Sequence, residues 1–205
     1  MLDSRSFAVF MLATVAMNVS PGPDTLYVLS RTLGQGYRAG VVAVLGGSTG
    51  RVAHTLLAAT GVSALLAAWP AVFGTVRIAG AVYLCALGIS QALSTVRASD
   101  RDVEPRPASK LFLDGFVTNL SNPGPMLFFL AFLPQFVVVG GLPAWVQIVL
   151  LGLVFTSSAT VWSLVVVAGS GRIREWIARR DGVMRAIRVV SGLMIVAVGV
   201  WVLAK

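Results

Sequence analysis

The sequence predicts an all-α integral membrane protein, with six transmembrane helices arranged as two inverted three-helix repeats and with discontinuous first and fourth helices. Three observations predict it. The 205-residue chain is 57% hydrophobic and only 12% charged, against roughly 25% charged in ordinary soluble domains, and its mean hydropathy is +0.85. Apolar runs at about 7–32, 39–68, 71–96, 111–137, 142–169 and 186–204 each approach or exceed the roughly 20 residues that cross a bilayer's hydrocarbon core. Two near-identical clusters, Ser20-Pro21-Gly22-Pro23-Asp24 and Asn122-Pro123-Gly124-Pro125-Met126, fall inside the first and fourth runs, 102 residues apart. Six spans leave almost nothing for a soluble domain, so residues 1–205 read as one transmembrane unit.

In the first run, two prolines around a glycine stop an α-helix, since each proline lacks an N–H and clashes with the turn before it. Broken backbone is tolerated in a bilayer only where protein buries it or where it lines a polar cavity. Asp24 follows the break within the apolar stretch. An ionisable group at that depth is a functional-site hypothesis by default, although an aspartate there also serves as a cap for the helix that restarts after Pro23. A half-helix start offers free N–H groups and a positive dipole end, which suits an anion such as a carboxylate. Arg5 and the short apolar stretch from Phe7 resemble a cleavable leader, but apolar character resumes after Asp24 through Leu33, which favours a span.

The second run holds Gly36/Gly40 and Gly46/Gly50 at small-xxx-small spacing, read here as close helix packing. Arg51 and His54 stand at i, i+3 and share a face. Near mid-span Arg51 needs a partner, and Asp24 is the only acidic residue at comparable depth. His54, the only histidine, serves either as a structural hydrogen-bonding group or as a proton carrier. Gly46-Gly47-Ser48-Thr49-Gly50 matches the nucleophile-elbow letters G-x-S-x-G, but that motif needs a strand-to-helix turn. On one helix, Ser48 and His54 lie about 9 Å apart along the axis and on different faces. Hydrolase chemistry is therefore not expected, and the chain reads as no enzyme.

The third run carries the single cysteine, Cys85, which has no intramolecular disulfide partner. The charged stretch 97–110, with Pro105 and Pro107, divides the chain into a first repeat of about 1–96 and a second of about 111–205. Three spans per half is an odd number, so the second half enters the membrane in the opposite sense, and the two breaks then meet near the midplane. The fourth run also contains Asp114, close to its basic-loop end. In the fifth, Thr156, Thr160 and Ser163 share a face, either bonding their own helix carbonyls or lining a polar path. The sixth is short, with Arg185 and Arg188 able to snorkel from its start.

The net charge of +8 and a pI near 11.1 would suit nucleic acid, but the charge distribution excludes it. Twelve of the 16 basic residues fall on one side of the six spans: Arg31, Arg38, Arg97, Arg101, Arg106, Lys110, Arg172, Arg174, Arg179, Arg180, Arg185 and Arg188. Arg5, Arg77 and Lys205 fall on the other. Such a bias in short loops marks the cytoplasmic side and places both termini outside the cytoplasm. The expected location is the inner, or plasma, membrane, with the lipid bilayer as partner. No cluster of Cys, His or carboxylates and no nucleotide loop is present, so neither metal nor cofactor is expected.

These residues resemble the lysine exporter (LysE/RhtB) family of amino-acid efflux carriers. The first-half match is Asn18-Val19-Ser20-Pro21-Gly22-Pro23-Asp24-Thr25-Leu26-Tyr27-Val28-Leu29, then Gln35-Gly36-Tyr37-Arg38-Ala39-Gly40, then Gly46, Gly50 and His54. Gly80 to Gly88 resembles the third-span pattern. The second-half match is Gly115-Phe116-Val117-Thr118-Asn119-Leu120-Ser121-Asn122-Pro123, then Phe128 to Phe136. The resemblance implies proton-motive-force-driven export of amino acids or related small metabolites. Together with Arg51, which is not a usual family residue and is read from its depth in the span, it also implies a substrate-binding and coupling set of Asn18, Pro21, Gly22, Pro23, Asp24, Arg51, His54, Asn119, Asn122 and Pro123. One departure stands out: the family usually has a lysine and a small residue after Asn-Pro, where this chain has Gly124 and Pro125. Arg51 could supply the missing cation from the second span. Export of another small solute or a metal ion is an alternative, as is a scaffold subunit without transport. A metal carrier would place more carboxylates, histidines or cysteines in its spans, and a scaffold gains nothing from mirrored broken helices. Which metabolite is carried, and whether the chain forms a homo-oligomer, stay open in the sequence.

Overall fold

Each proline cluster ends one helix and begins another. In the computed structural model, which describes residues 3–68, 72–93, 104–138, 140–178 and 181–204, α1 runs Ser4–Val19 and starts at Asp3, whose carboxylate accepts the Ser6 N–H at 2.7 Å. After Ser20, Pro21 and Gly22 the chain re-enters a helix as α2, Pro23–Gln35, with Pro23 in the first helical position. Proline suits that position because the N–H it lacks would have no partner there. The axes of α1 and α2 differ by 46°. The second cluster repeats the device: α5, Ala108–Leu120, gives way at Ser121 and Asn122 to α6, Pro123–Ala131, and a 3-10 turn at Leu133–Phe136. The bend there is 56°.

The other helices are α3 (Tyr37–Ala68), α4 (Val72–Leu93), α7 (Ala144–Ala178) and α8 (Asp181–Leu203). Among the described residues there is no strand, so Gly46–Gly50 lies inside α3 and not on a strand-to-helix turn. Three helical stretches are long and apolar enough to cross a membrane: Tyr37–Gly61, Ala144–Ser170 and Arg185–Leu203. Each bent pair counts as one further broken crossing, which makes five. The sequence predicts six. The difference lies in the third run, where the described apolar part of α4, Ile78–Leu93, is shorter than a crossing. Of the basic residues assigned to the two sides, Arg97, Arg101, Arg179, Arg180 and Lys205 lie outside the described residues, as do the side chains of Arg77, Arg172 and Arg174.

Helices approach closely where side chains are absent. A Cβ on Gly46 of α3 would collide with the Phe112 carbonyl oxygen of α5, and one on Gly115 of α5 would stand 2.5 Å from the Ala43 carbonyl oxygen of α3. In the same way α4 and α8 meet at Gly88 and Gly192, each of which would drive a Cβ into the other's carbonyl oxygen. Lipid tails are as apolar as the helices, so such packing, and not water exclusion, holds the bundle together. Gly36 has a different use. Its spacing to Gly40 predicts helix packing, yet nothing surrounds it within 4 Å of a Cβ, and its φ of 89° makes it the turn between α2 and α3. That left-handed backbone is where glycine carries no steric penalty.

The core centres on α6. Phe128, Phe129, Phe132 and Phe136 are fully buried together with Phe10 of α1. The Phe128 and Phe132 rings stand 4.5 Å apart, and Phe136 meets Phe10 edge-on at 5.5 Å. Away from that core, α2 is tied to the chain before α5. Arg31 donates to the Glu104 carbonyl at 3.1 Å and Gln35 to the Arg106 carbonyl at 3.0 Å. Asp114 pairs with Arg106, so its charge serves that end of the fold alone.

Candidate functional site

The break between α1 and α2 delivers a charge, and the break between α5 and α6 receives it. Asp24 sits in the first turn of α2, where the helix dipole favours a carboxylate. One carboxylate oxygen accepts a hydrogen bond from the Asn119 amide, and the other accepts from Asn122 Nδ2 at 3.4 Å. Asn119 lies one residue before the end of α5, and Asn122 caps α6 by accepting the Gly124 N–H at 3.1 Å. Asn122 thus uses its oxygen to start its own helix and its nitrogen to reach the other half.

Arg51 of α3 approaches from a third side. Its Nη1 lies 3.8 Å from Asp24 Oδ2, and its side chain is only 7% exposed, against 22% for Asp24. Its Nη2 donates to Ser48 Oγ at 3.1 Å, and Ser48 Oγ shares a hydrogen bond of 2.7 Å with Thr160 of α7. The guanidinium is therefore anchored from α3 and α7 before it meets any anion. One turn along, His54 Nε2 donates to the Asn119 carbonyl oxygen at 3.2 Å, and its ring stacks on Phe129 at 5.9 Å. A carbonyl only accepts, so Nε2 carries the proton in this arrangement. Gly50, one turn before His54 on α3, leaves room for Asn119: a Cβ there would stand 2.8 Å from Asn119 Oδ1.

Asp24, Arg51, Asn119 and Asn122 border a cavity of about 270 Å³, near the small end of the roughly 300–1,000 Å³ common for small-molecule pockets. Of the residues expected from the sequence, Asn18, Pro21, Gly22, Pro23, Asp24, Arg51, Asn119 and Asn122 line it. Asn18 also donates to Ser158 Oγ of α7 at 2.9 Å, tying the end of α1 to the wall. His54 does not line the cavity; it is buried behind Asn119. Pro123 opens α6, and its side chain is outside the described residues.

Sequence reasoning missed several wall residues: Ser90 and Gln91 of α4, and Phe155 and Trp162 of α7. A glutamine inside an apolar helix is a signal that could have found Gln91, whereas Phe155 and Trp162 look like any lipid-facing aromatics. Of the three fifth-run hydroxyls, Ser163 lines the cavity and Thr160 holds Ser48, while the buried Thr156 Oγ1 has no hydrogen-bond partner. Among the described residues no group of three or more His, Cys, Asp or Glu side chains gathers to hold a metal ion.

The family model described as "LysE type translocator" matches residues 15–205. A leucine efflux protein of Klebsiella pneumoniae is 30% identical over 168 residues, covering 80% of this chain and 79% of the relative. A membrane protein of Pseudomonas aeruginosa, PA4757, is 32% identical over 97% of this chain and 95% of its own length. The Bacillus subtilis membrane protein YrhP is 25% identical over 96% of this chain and 97% of its own length. Both are named as uncharacterized. No solved structure matches the chain.

Proposed function

This chain belongs to the LysE type translocator family and is a multi-pass membrane protein, and we propose that it exports an amino acid with an apolar side chain from the cytoplasm, driven by the proton gradient. One observation carries the reading: the charge of one broken helix is held by the amides of the other beside a small cavity. Interrupted helices at corresponding places in two halves mark the binding site in transporters built from inverted repeats. The leucine efflux relative supports a substrate of that class, and Phe155, Trp162 and Leu87 offer an apolar wall for its side chain.

Six crossings in two inverted halves fit this reading. The 22 residues of α4 extend about 33 Å at 1.5 Å per residue, enough for a hydrocarbon core of roughly 30 Å. The reciprocal contact of Gly88 with Gly192 pairs the third helix of each half, as a two-fold axis would. The bias of basic residues to one side supports both termini outside the cytoplasm. Reporter fusions at Lys205 and near Ser99 check this, and a cytoplasmic signal from Lys205 would reverse it.

Coupling is assigned to Asp24. When ionised, it is balanced by Arg51 or by the ammonium of the substrate, and when protonated it needs neither. A proton and a substrate that compete for one carboxylate give exchange, with proton entry linked to substrate exit. The deciding experiment loads proteoliposomes with a panel of radiolabelled amino acids and imposes a pH gradient. Leucine and its apolar neighbours should leave in response to the gradient; a panel that stays inside defeats the proposal.

A further inference from the structure

We propose that Arg51 is the receptor for the substrate's carboxylate, and that Arg51 and Asp24 together restrict the cargo to α-amino acids of zero net charge. This rests on the export reading above. The starting observation is an ion pair left open. Arg51 Nη1 is 3.8 Å from Asp24, longer than the roughly 2.7–3.2 Å of a hydrogen bond. Its Nε is buried without any acceptor. Arginine–carboxylate pairs frequently close as a two-pronged fork. Here the Asp24 oxygens are taken by Asn119 and Asn122 instead, and Arg51 is held from behind through Ser48 and Thr160.

A buried guanidinium that keeps unsatisfied donors is costly, and in a lipid-embedded protein such a group marks a ligand path. An α-amino acid resolves this geometry. It carries its ammonium and carboxylate on one carbon, so the ammonium can sit on Asp24 while the carboxylate sits on Arg51. The four charges then alternate around a ring whose fixed side is the Asp24–Arg51 separation, and the total stays zero. A basic or acidic side chain would leave one uncompensated charge in a low-dielectric site, which is strongly unfavourable. An apolar side chain leaves none.

If Arg51 were only a counter-ion for Asp24, the substrate's own carboxylate would not feel its loss. Counterflow of radiolabelled leucine in proteoliposomes, with no pH gradient, separates the two roles. Unlabelled leucine should compete well in the wild type, while leucinamide, lysine and glutamate compete poorly. Arg51→Gln should weaken competition by leucine about ten- to a hundredfold, the worth of one charge-assisted hydrogen-bond set, and leave leucinamide unchanged, so that the discrimination vanishes. Arg51→Lys keeps the cation without the fork and should fall between the two. Because the readout is a ratio within one preparation, it does not depend on how much variant is inserted. An unchanged leucine-to-leucinamide ratio in both variants overturns the assignment, and lysine or glutamate competing as well as leucine overturns the charge restriction. If wild-type protein moves none of the amino acids, the export reading falls, and this one with it.

Discussion

The two proline breaks are nearly the same in sequence and differ in how they are finished. The second is closed locally: Asn122 caps α6 through the Gly124 N–H, and the helix carries no charge in its first turn. The first is left open: Gly22 caps α2 without a side chain, and the first turn carries Asp24. On the proposed reading the two clusters supply matching interruptions, the carboxylate of the first forms the site, and the second turns its amides toward it.

Removing the charge breaks the comparison most severely. Asp24→Asn keeps the size and one acceptor oxygen but removes the charge, so pH-gradient-driven efflux should fall to background while the protein still inserts and elutes as one species. Transport equal to wild type would leave Asp24 a structural partner of Asn119 and Asn122, not the N-cap its position suggested since Gly22 holds that place, and would put coupling elsewhere. Next in size is Gly50→Ala. Its Cβ would meet Asn119 Oδ1 at 2.8 Å and the Phe116 carbonyl oxygen at 3.1 Å. Overpacking of that kind typically costs about 1–3 kcal/mol, so the Tm in detergent should drop, and efflux should fall as Asn119 is pushed off Asp24.

The caps sharpen the contrast with smaller effects. Asn122→Ala removes a side-chain cap, worth about 1 kcal/mol, and should lower thermal stability more than it lowers efflux, because Asn119 still holds Asp24. Smallest is the reverse change. Gly22→Ser gives α2 the cap that α6 already has; nothing lies within 4 Å of a Cβ there. It should stabilise by a few tenths of a kcal/mol while slowing efflux, since it occupies N–H groups at the cavity. A gain in stability with no change in transport would mean that the open end of α2 has no functional part.

Much of the site was legible because rules of burial leave few choices. Proline interrupts a helix interior and is tolerated only in the first turn, so the breaks could be placed within a few residues. Arg51 needed an anion, and only Asp24 was available at that depth, so their proximity could be foreseen. Other features had no such constraint. Hydroxyls abound in the apolar runs, and nothing in the sequence singles out Ser48 and Thr160 as the anchor behind Arg51. His54 was open between proton carrier and structural group, and its bond to the Asn119 carbonyl, away from the cavity, comes from how α3 rotates against α5.

By itself, then, the sequence determined the membrane class, the two interruptions and the one deep carboxylate, because hydropathy, proline geometry and the cost of buried charge act locally along the chain. Only the tertiary structure decided what Asp24 touches. Whether Asn119 and Asn122 meet it, whether Gly50 makes room, and whether Arg51 closes on it or stops at 3.8 Å depend on helix rotations and crossings of a few ångströms. Those are set by glycine contacts between distant segments, Gly46 with Phe112 and Gly88 with Gly192, and a one-dimensional pattern carries no measure of such distances.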